Sequence, residues 1–156
     1  MLFHLDANAV NAKQRDPDLM ELERLEIVGI VSLQYSEVAY SEARHGSSLR
    51  AKKVELHTWA GLSKSPEFTA DWREKIANAV FPNLTLSASQ ENDVEILMTA
   101  KMAGAILVTN DGASKGQPKG ILGSKRELEG LGIQVVTPSE AVALAKAGSS
   151  LISSNS

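Results

Sequence analysis

The chain has 156 residues, long enough for one domain with a sizeable core and too short for two ordinary ones. Hydrophobic residues make up 43% and charged residues 22%, a globular balance, and no apolar run approaches the ~20 residues of a membrane span. A formal net charge of −3 gives no global basic footprint for nucleic acid, and the lack of cysteine excludes disulfides and thiolate metal sites.

The start, MLFHLDAN, has neither the basic segment nor the apolar core of a signal peptide, so a cytoplasmic protein is the expectation. Leu2 to Leu5 reads as a first strand, ended by Asp6. Asp16-Pro17 opens a helix, with Asp as cap and Pro at the first helical position. Leu19, Leu22 and Leu25 then recur at helical spacing to about Glu26. Ile27 to Ser36 is rich in β-formers and reads as strand two. Ser36 caps a helix predicted from Glu37 to about Lys53.

Between His57 and Phe81 the helical pattern is interrupted. Ser65-Pro66-Glu67 is a capped start, Trp72, Ile76 and Ala79/Val80 form a stripe, and Pro82 is a stop. Leu84 to Leu86 is a short strand candidate, followed by SASQEN as a polar loop. Asp93 to Ala103 is predicted helical and Ala105 to Thr109 a buried strand. Gly112 to Gly120 reads as a loop, Lys125 to Leu131 as a helix, Ile133 to Val136 as a last strand and Pro138 to Ala147 as a last helix. One domain over 1–147 with a frayed tail over 148–156 is expected. Five strand candidates alternating with helices predict an α/β three-layer sandwich around a central, mostly parallel five-stranded sheet.

Four acids stand where an apolar or neutral residue belongs. Asp6 and Asp111 each end a buried strand, the place where parallel sheets hold ligands. The plain alternative is a turn-forming Asp in each case, and Asp111-Gly112 suits one. Asp93 shares a helix face with Ile96, Leu97 and Ala100, at i, i+3, i+4 and i+7. Its plain alternative is a first-turn carboxylate favoured by the helix dipole. Glu42 aligns with Val38 on an apolar face, whereas Glu37 falls with Ser41 and Arg44 on a polar one, and one site can hardly use both. Buried carboxylates are costly unless paired, protonated or bound to a cation. Oxygen-only ligands without thiols favour Mg²⁺ or Mn²⁺.

Basic residues are clustered rather than spread. Arg44, Arg50, Lys52, Lys53 and Lys64, with His45 and His57, face a single acid, Glu55; Lys115, Lys119, Lys125 and Arg126 form a second group. These are either solvated faces or a basic rim able to hold a phosphate backbone. The Gly112–Gly120 stretch lacks P-loop spacing, and His4, His45 and His57 lack metal-ligand spacing. His4, inside a strand, reads as a packed core residue.

LDANAV (5–10), SEVAYSEARHG (36–46), NDVEILMTAKMAGAILVTND (92–111) and GIQVVTPSEAVAL (132–144) resemble the PIN domain. They are particularly similar to the VapC-like ribonuclease toxins of toxin–antitoxin pairs. The resemblance implies an acidic pocket at the strand ends formed by Asp6, Glu42, Asp93 and Asp111. Asp6, Asp93 and Asp111 would then hold Mg²⁺ or Mn²⁺, and Glu42 would position the attacking water for RNA hydrolysis. Asn8, Arg44 and Lys115 would contact the RNA. It further implies an antitoxin protein as partner, a homodimer and no membrane association. The chain departs from the pattern at Ala39, where serine or threonine is common, and at Gly112-Ala113-Ser114, where a further acid or aromatic often follows.

Three rivals stand beside this reading. A phospho-acceptor receiver would need an acidic pair after strand one and a lysine after the last strand, and a haloacid-dehalogenase-like phosphatase would need Asp-x-Asp where Asp6-Ala7-Asn8 stands. The third is a catalytically inactive PIN-like RNA- or protein-binding module.

Overall fold

Continuous burial of Phe3, His4 and Leu5 marks β1, Leu2–Leu5, as an inner strand of a sheet covered on both faces. A computed structural model describes residues 1–12, 16–44, 66–82, 85–112 and 119–153; side chains of 10–12, 40, 42–44, 66–68 and 150–153 lie outside the description. The elements that follow β1 are α1 (Ala7–Ala12), α2 (Pro17–Ile27), β2 (Ser32–Tyr35) and α3 (Glu37–Arg44). Next come α4 (Pro66–Val80), α5 (Ala88–Ala103), β3 (Ile106–Val108), α6 (Gly120–Gly123), α7 (Lys125–Gly130), β4 (Val135–Val136) and α8 (Pro138–Ser153). The described strands are all parallel, in the order β2-β1-β3-β4.

One face of the sheet carries Phe3, Leu5, Leu33, Tyr35 and Val108 against Leu19, Leu22 and Leu25 of α2 and Ala141 and Ala145 of α8. The other carries Leu107 and Val135 against α4 and α5, through Ile76, Val80, Ile96 and Leu97. These are the three layers expected. Lys101 of α5 fastens the second layer: its Nζ donates to Leu131 O at 2.7 Å, closing the end of α7, and lies 3.9 Å from the centre of the Trp72 ring on α4. No described helix is long and apolar enough to cross a membrane.

Four boundaries differ from expectation, each for a local reason. Strand two begins at Ser32, not Ile27, because α2 keeps its hydrogen bonds to the end: Val28 N–H donates to Arg24 O, Gly29 N–H to Glu26 O and Ile30 N–H to Leu25 O. Gly29, at φ 76°, turns the chain, and Ile27 is left 85% exposed despite its β propensity. SASQEN is not a loop. Ser87 and Gln90 form a reciprocal capping box, so α5 starts at Ala88. At the other end of the chain, α8 runs past Ala147 to Ser153, with Gly148 close enough to Met1 that a Cβ there would touch its Cε at 3.5 Å. The fifth strand, Leu84–Leu86, is absent among the described residues. Thr85 and Leu86 are unpaired and lead into the Ser87 cap, and Leu84 lies outside the description. The predicted continuation of α3 to Lys53 and the Ser65 cap also lie outside it.

Candidate active site

Asp6 stands at the carboxyl end of the central strand and Asp111 follows the carboxyl end of its neighbour β3. The main chain of Asp6 continues the ladder, its N–H donating to Val108 O at 3.1 Å. Its side chain is 3% exposed. Thr109 Oγ1 donates to Asp6 Oδ2 at 2.6 Å, the short range of a charge-assisted bond. Asn8 N–H donates to Asp6 Oδ1 at 3.4 Å as α1 begins. The turn-forming role weighed as the plain alternative is therefore real, and it coexists with burial that a turn does not require.

Burial pushes the Asp6 carboxyl above its usual range. The Thr109 hydroxyl and the Asn8 amide oppose this, while the nearby Asp111 charge adds to it. The net upward direction means that desolvation wins over the hydrogen bonds. Asp111 is half-buried. Its N–H donates to Thr109 Oγ1 at 2.9 Å, and its Oδ2 accepts Ile121 N–H at 3.0 Å. A single fully buried hydroxyl thus joins both acids, giving its proton to one and its lone pair to the amide of the other.

Thr109 is the residue that reading for acids missed. The signal was present: a polar residue inside a buried strand, two positions from an acid, and so on the same side of the chain. The isosteric Thr109→Val variant is expected to lose about 1–3 kcal/mol by leaving the Asp6 oxygen and the Asp111 amide unsatisfied. Urea denaturation measures that loss, and an unchanged midpoint would remove the hydroxyl from the site.

The other predicted residues are spread over packed neighbours. Helix α1 packs on α3, and α3 on α5. Asp93 lies on α5, half-buried, above the fully buried Leu97 and Ala100. Because α5 begins at Ala88, Asp93 is past the first turn, where the dipole effect has faded. Glu42 is in α3, three residues after fully buried Ala39, and Glu37 and Ser41 are exposed. The Glu42 and Arg44 side chains, and Lys115 altogether, lie outside the described residues. Asn8 is exposed beside Asp6. In the second basic group Lys119 pairs with Glu127 at 3.7 Å and Lys125 with Glu140 at 2.6 Å, leaving Arg126 exposed on α7.

Asp6 and Asp111 place two carboxylates near one another, oxygen donors of the kind that a hard divalent cation takes. No three His, Cys, Asp or Glu side chains among the described residues stand together closely enough to hold an ion.

Among the solved structures that resemble this chain, two each cover 88% of it. One is a chain of VapBC2 from Rickettsia felis bound to a DNA fragment from its promoter, with a TM-score of 0.61, 15% identity and 98% of that chain covered. The second is a chain of FitAB bound to the IR36 DNA fragment, with a TM-score of 0.52, 16% identity and 95% covered. The fold is PIN-like. No family model matches the chain, and no curated protein does. At such identity the PIN-like likeness is one of architecture, four described strands in place of five.

Proposed function

We propose that this chain is a metal-dependent endoribonuclease, the toxin of a toxin–antitoxin pair. The observation that carries the proposal is the convergence of Asp6 and Asp111 at the carboxyl ends of adjacent parallel strands, with Asp6 buried and linked to Asp111 through Thr109. A cap does not require full burial, as the only partly buried Asp16 at the start of α2 illustrates. Burial of Asp6 beside a second acid is costly to the ionised form, and a cation entering the site would offset that cost.

Mg²⁺ or Mn²⁺ bound there would supply an activated water and neutralise charge on the leaving oxygen of a phosphodiester. Asp6, Asp93 and Asp111 would hold the ion, and Glu42 would orient the water. Thr109 keeps Asp6 and Asp111 in register. Arg44, Lys115 and Lys119 would hold the RNA backbone, giving salt-dependent affinity, and Asn8 would contact the substrate beside Asp6. Single-stranded or looped RNA suits a recessed site best. The fold neighbours VapBC2 and FitAB are bound to DNA in their structures. For this chain, with its net charge of −3, DNA reading falls to an antitoxin partner, with the toxin as a cytoplasmic homodimer.

The experiment is cleavage of a labelled RNA with Mg²⁺, with EDTA, and by Asp111→Asn and Asp93→Asn. Changes to groups that only orient metal ligands cost roughly 10–100-fold, so loss of a ligand acid is expected to exceed that range. Unchanged cleavage in either variant, or cleavage in EDTA, removes the proposal. One observation favours the inactive binding module: Asp6 already opens α1 and Asp111 already bonds Ile121, so both have structural employment without chemistry. That reading requires no cleavage under any condition.

A further inference from the structure

The chain leaves Asp111 at Gly112 and returns at Lys119 and Gly120 with its backbone laid against itself. Gly120 has φ 59°, where an L side chain is strained. A Cβ built there would stand 2.4 Å from Gly112 O, 2.7 Å from Gly112 C and 3.0 Å from Asp111 O. All three are main-chain atoms, so no side chain could swing aside to make room. Gly120 is therefore required twice, by its dihedral and by the contact.

The close approach has a specific product. It brings Ile121 N–H to Asp111 Oδ2 at 3.0 Å and Leu122 N–H to Asp111 O at 3.0 Å. With its own N–H on Thr109 Oγ1, Asp111 is held at amide, carbonyl and carboxylate together. The returning segment is itself anchored. Ile121 is fully buried in the core beneath it, Ser124 Oγ donates to Gly120 O at 3.2 Å, and Gly123 N–H donates to Lys119 O.

We infer that Gly120 is a positioning residue for the acidic site: lacking a Cβ, it lets Ile121 N–H clamp the Asp111 carboxylate in place beyond the end of β3. The inference rests on the metal-dependent reading above and adds an uncharged residue that acts through Asp111. Reciprocity follows from linkage. If the clamp favours cation uptake, cation uptake must steady the clamp by the same factor.

Titration calorimetry with Mg²⁺ alone, on the full chain, tests this against a matched control. Gly104, which ends α5 at φ 62° with nothing within 4 Å of a built Cβ, imposes similar backbone strain away from the site. Both Gly120→Ala and Gly104→Ala are expected to lower the unfolding temperature, but only Gly120→Ala should weaken Mg²⁺ uptake, by roughly 10–100-fold. Equal Mg²⁺ affinity in the two variants overturns the inference while leaving the metal site intact. Absence of Mg²⁺ uptake by the unsubstituted chain overturns the inference and the parent reading together. Should Gly120→Ala not fold, amide exchange in the unsubstituted protein decides: Mg²⁺ is expected to slow exchange at Ile121 and Leu122 relative to EDTA, and unchanged rates overturn the clamp.

Discussion

Asp6→Asn is expected to make the protein harder to unfold in EDTA at neutral pH while abolishing any stabilisation by Mg²⁺. Asp6 is buried, its carboxyl is pushed up by desolvation, and the charge of Asp111 lies beside it. A group whose folded pKa is raised contributes stability that is fully present below its ordinary pKa and lost as pH rises through the folded value. At neutral pH the ionised carboxylate is therefore a burden on the empty site. Asparagine removes the charge and keeps an oxygen to accept from Thr109 Oγ1. In a chain of this length each kcal/mol moves the midpoint by roughly 2–4 °C, so thermal melts with EDTA and with Mg²⁺ read both effects. In the unsubstituted protein Mg²⁺ should raise the midpoint more strongly as pH rises, because the bound form must be ionised. An Asp6→Asn midpoint below that of the unsubstituted protein in EDTA would mean that the carboxylate is held for structure, against the nuclease reading.

His4→Leu should flatten the acid side of the stability curve. His4 is fully buried on the sheet face opposite to Phe3 and Leu5, and neither ring nitrogen has a hydrogen-bond partner among the described residues. Burial lowers its pKa from 6.5 to about 4. For a depressed pKa the contribution is intact above the ordinary value and is lost as pH falls toward the folded value, here between 6.5 and about 4. The shift corresponds to about 3 kcal/mol, since each pKa unit is worth about 1.4 kcal/mol. Asp6 works in the opposite direction over acid pH, because protonation relieves it. The measured slope is the difference between the two. Replacing His4 by leucine also removes two unsatisfied nitrogens from the core, so the variant should gain most near pH 4.5. Urea midpoints at pH 7, 5.5 and 4.5 check this; an identical slope in both proteins would show that the imidazole is not the group being titrated.

Local signals that are self-contained were legible. Asp16-Pro17 announced α2, and the structure has Asp16 Oδ1 accepting from Asp18 and Leu19 N–H. The stripe Ile96, Leu97 and Ala100 announced the buried side of α5, and the apolar run before Thr109 announced β3. Strand two begins later than Ile27, Val28, Ile30 and Val31 suggest by their β propensity, because Ile27 ends α2 and the N–H groups of Val28, Gly29 and Ile30 donate back to Arg24, Glu26 and Leu25. The capping box at Ser87 and Gln90 was equally readable and was passed over as polar loop.

The pattern of the chain by itself determined that Asp6 and Asp111 end buried strands, since alternation and apolar runs are properties of neighbours in order. That the two strands lie side by side, and that Thr109 ties their acids together, was decided only in three dimensions, because parallel neighbours are far apart along the chain. The same holds for Gly120, whose meaning depends on a backbone eight residues earlier. Periodicity reports which side of an element is buried; it carries no information on what lies across the interface, and a site is made of what lies across.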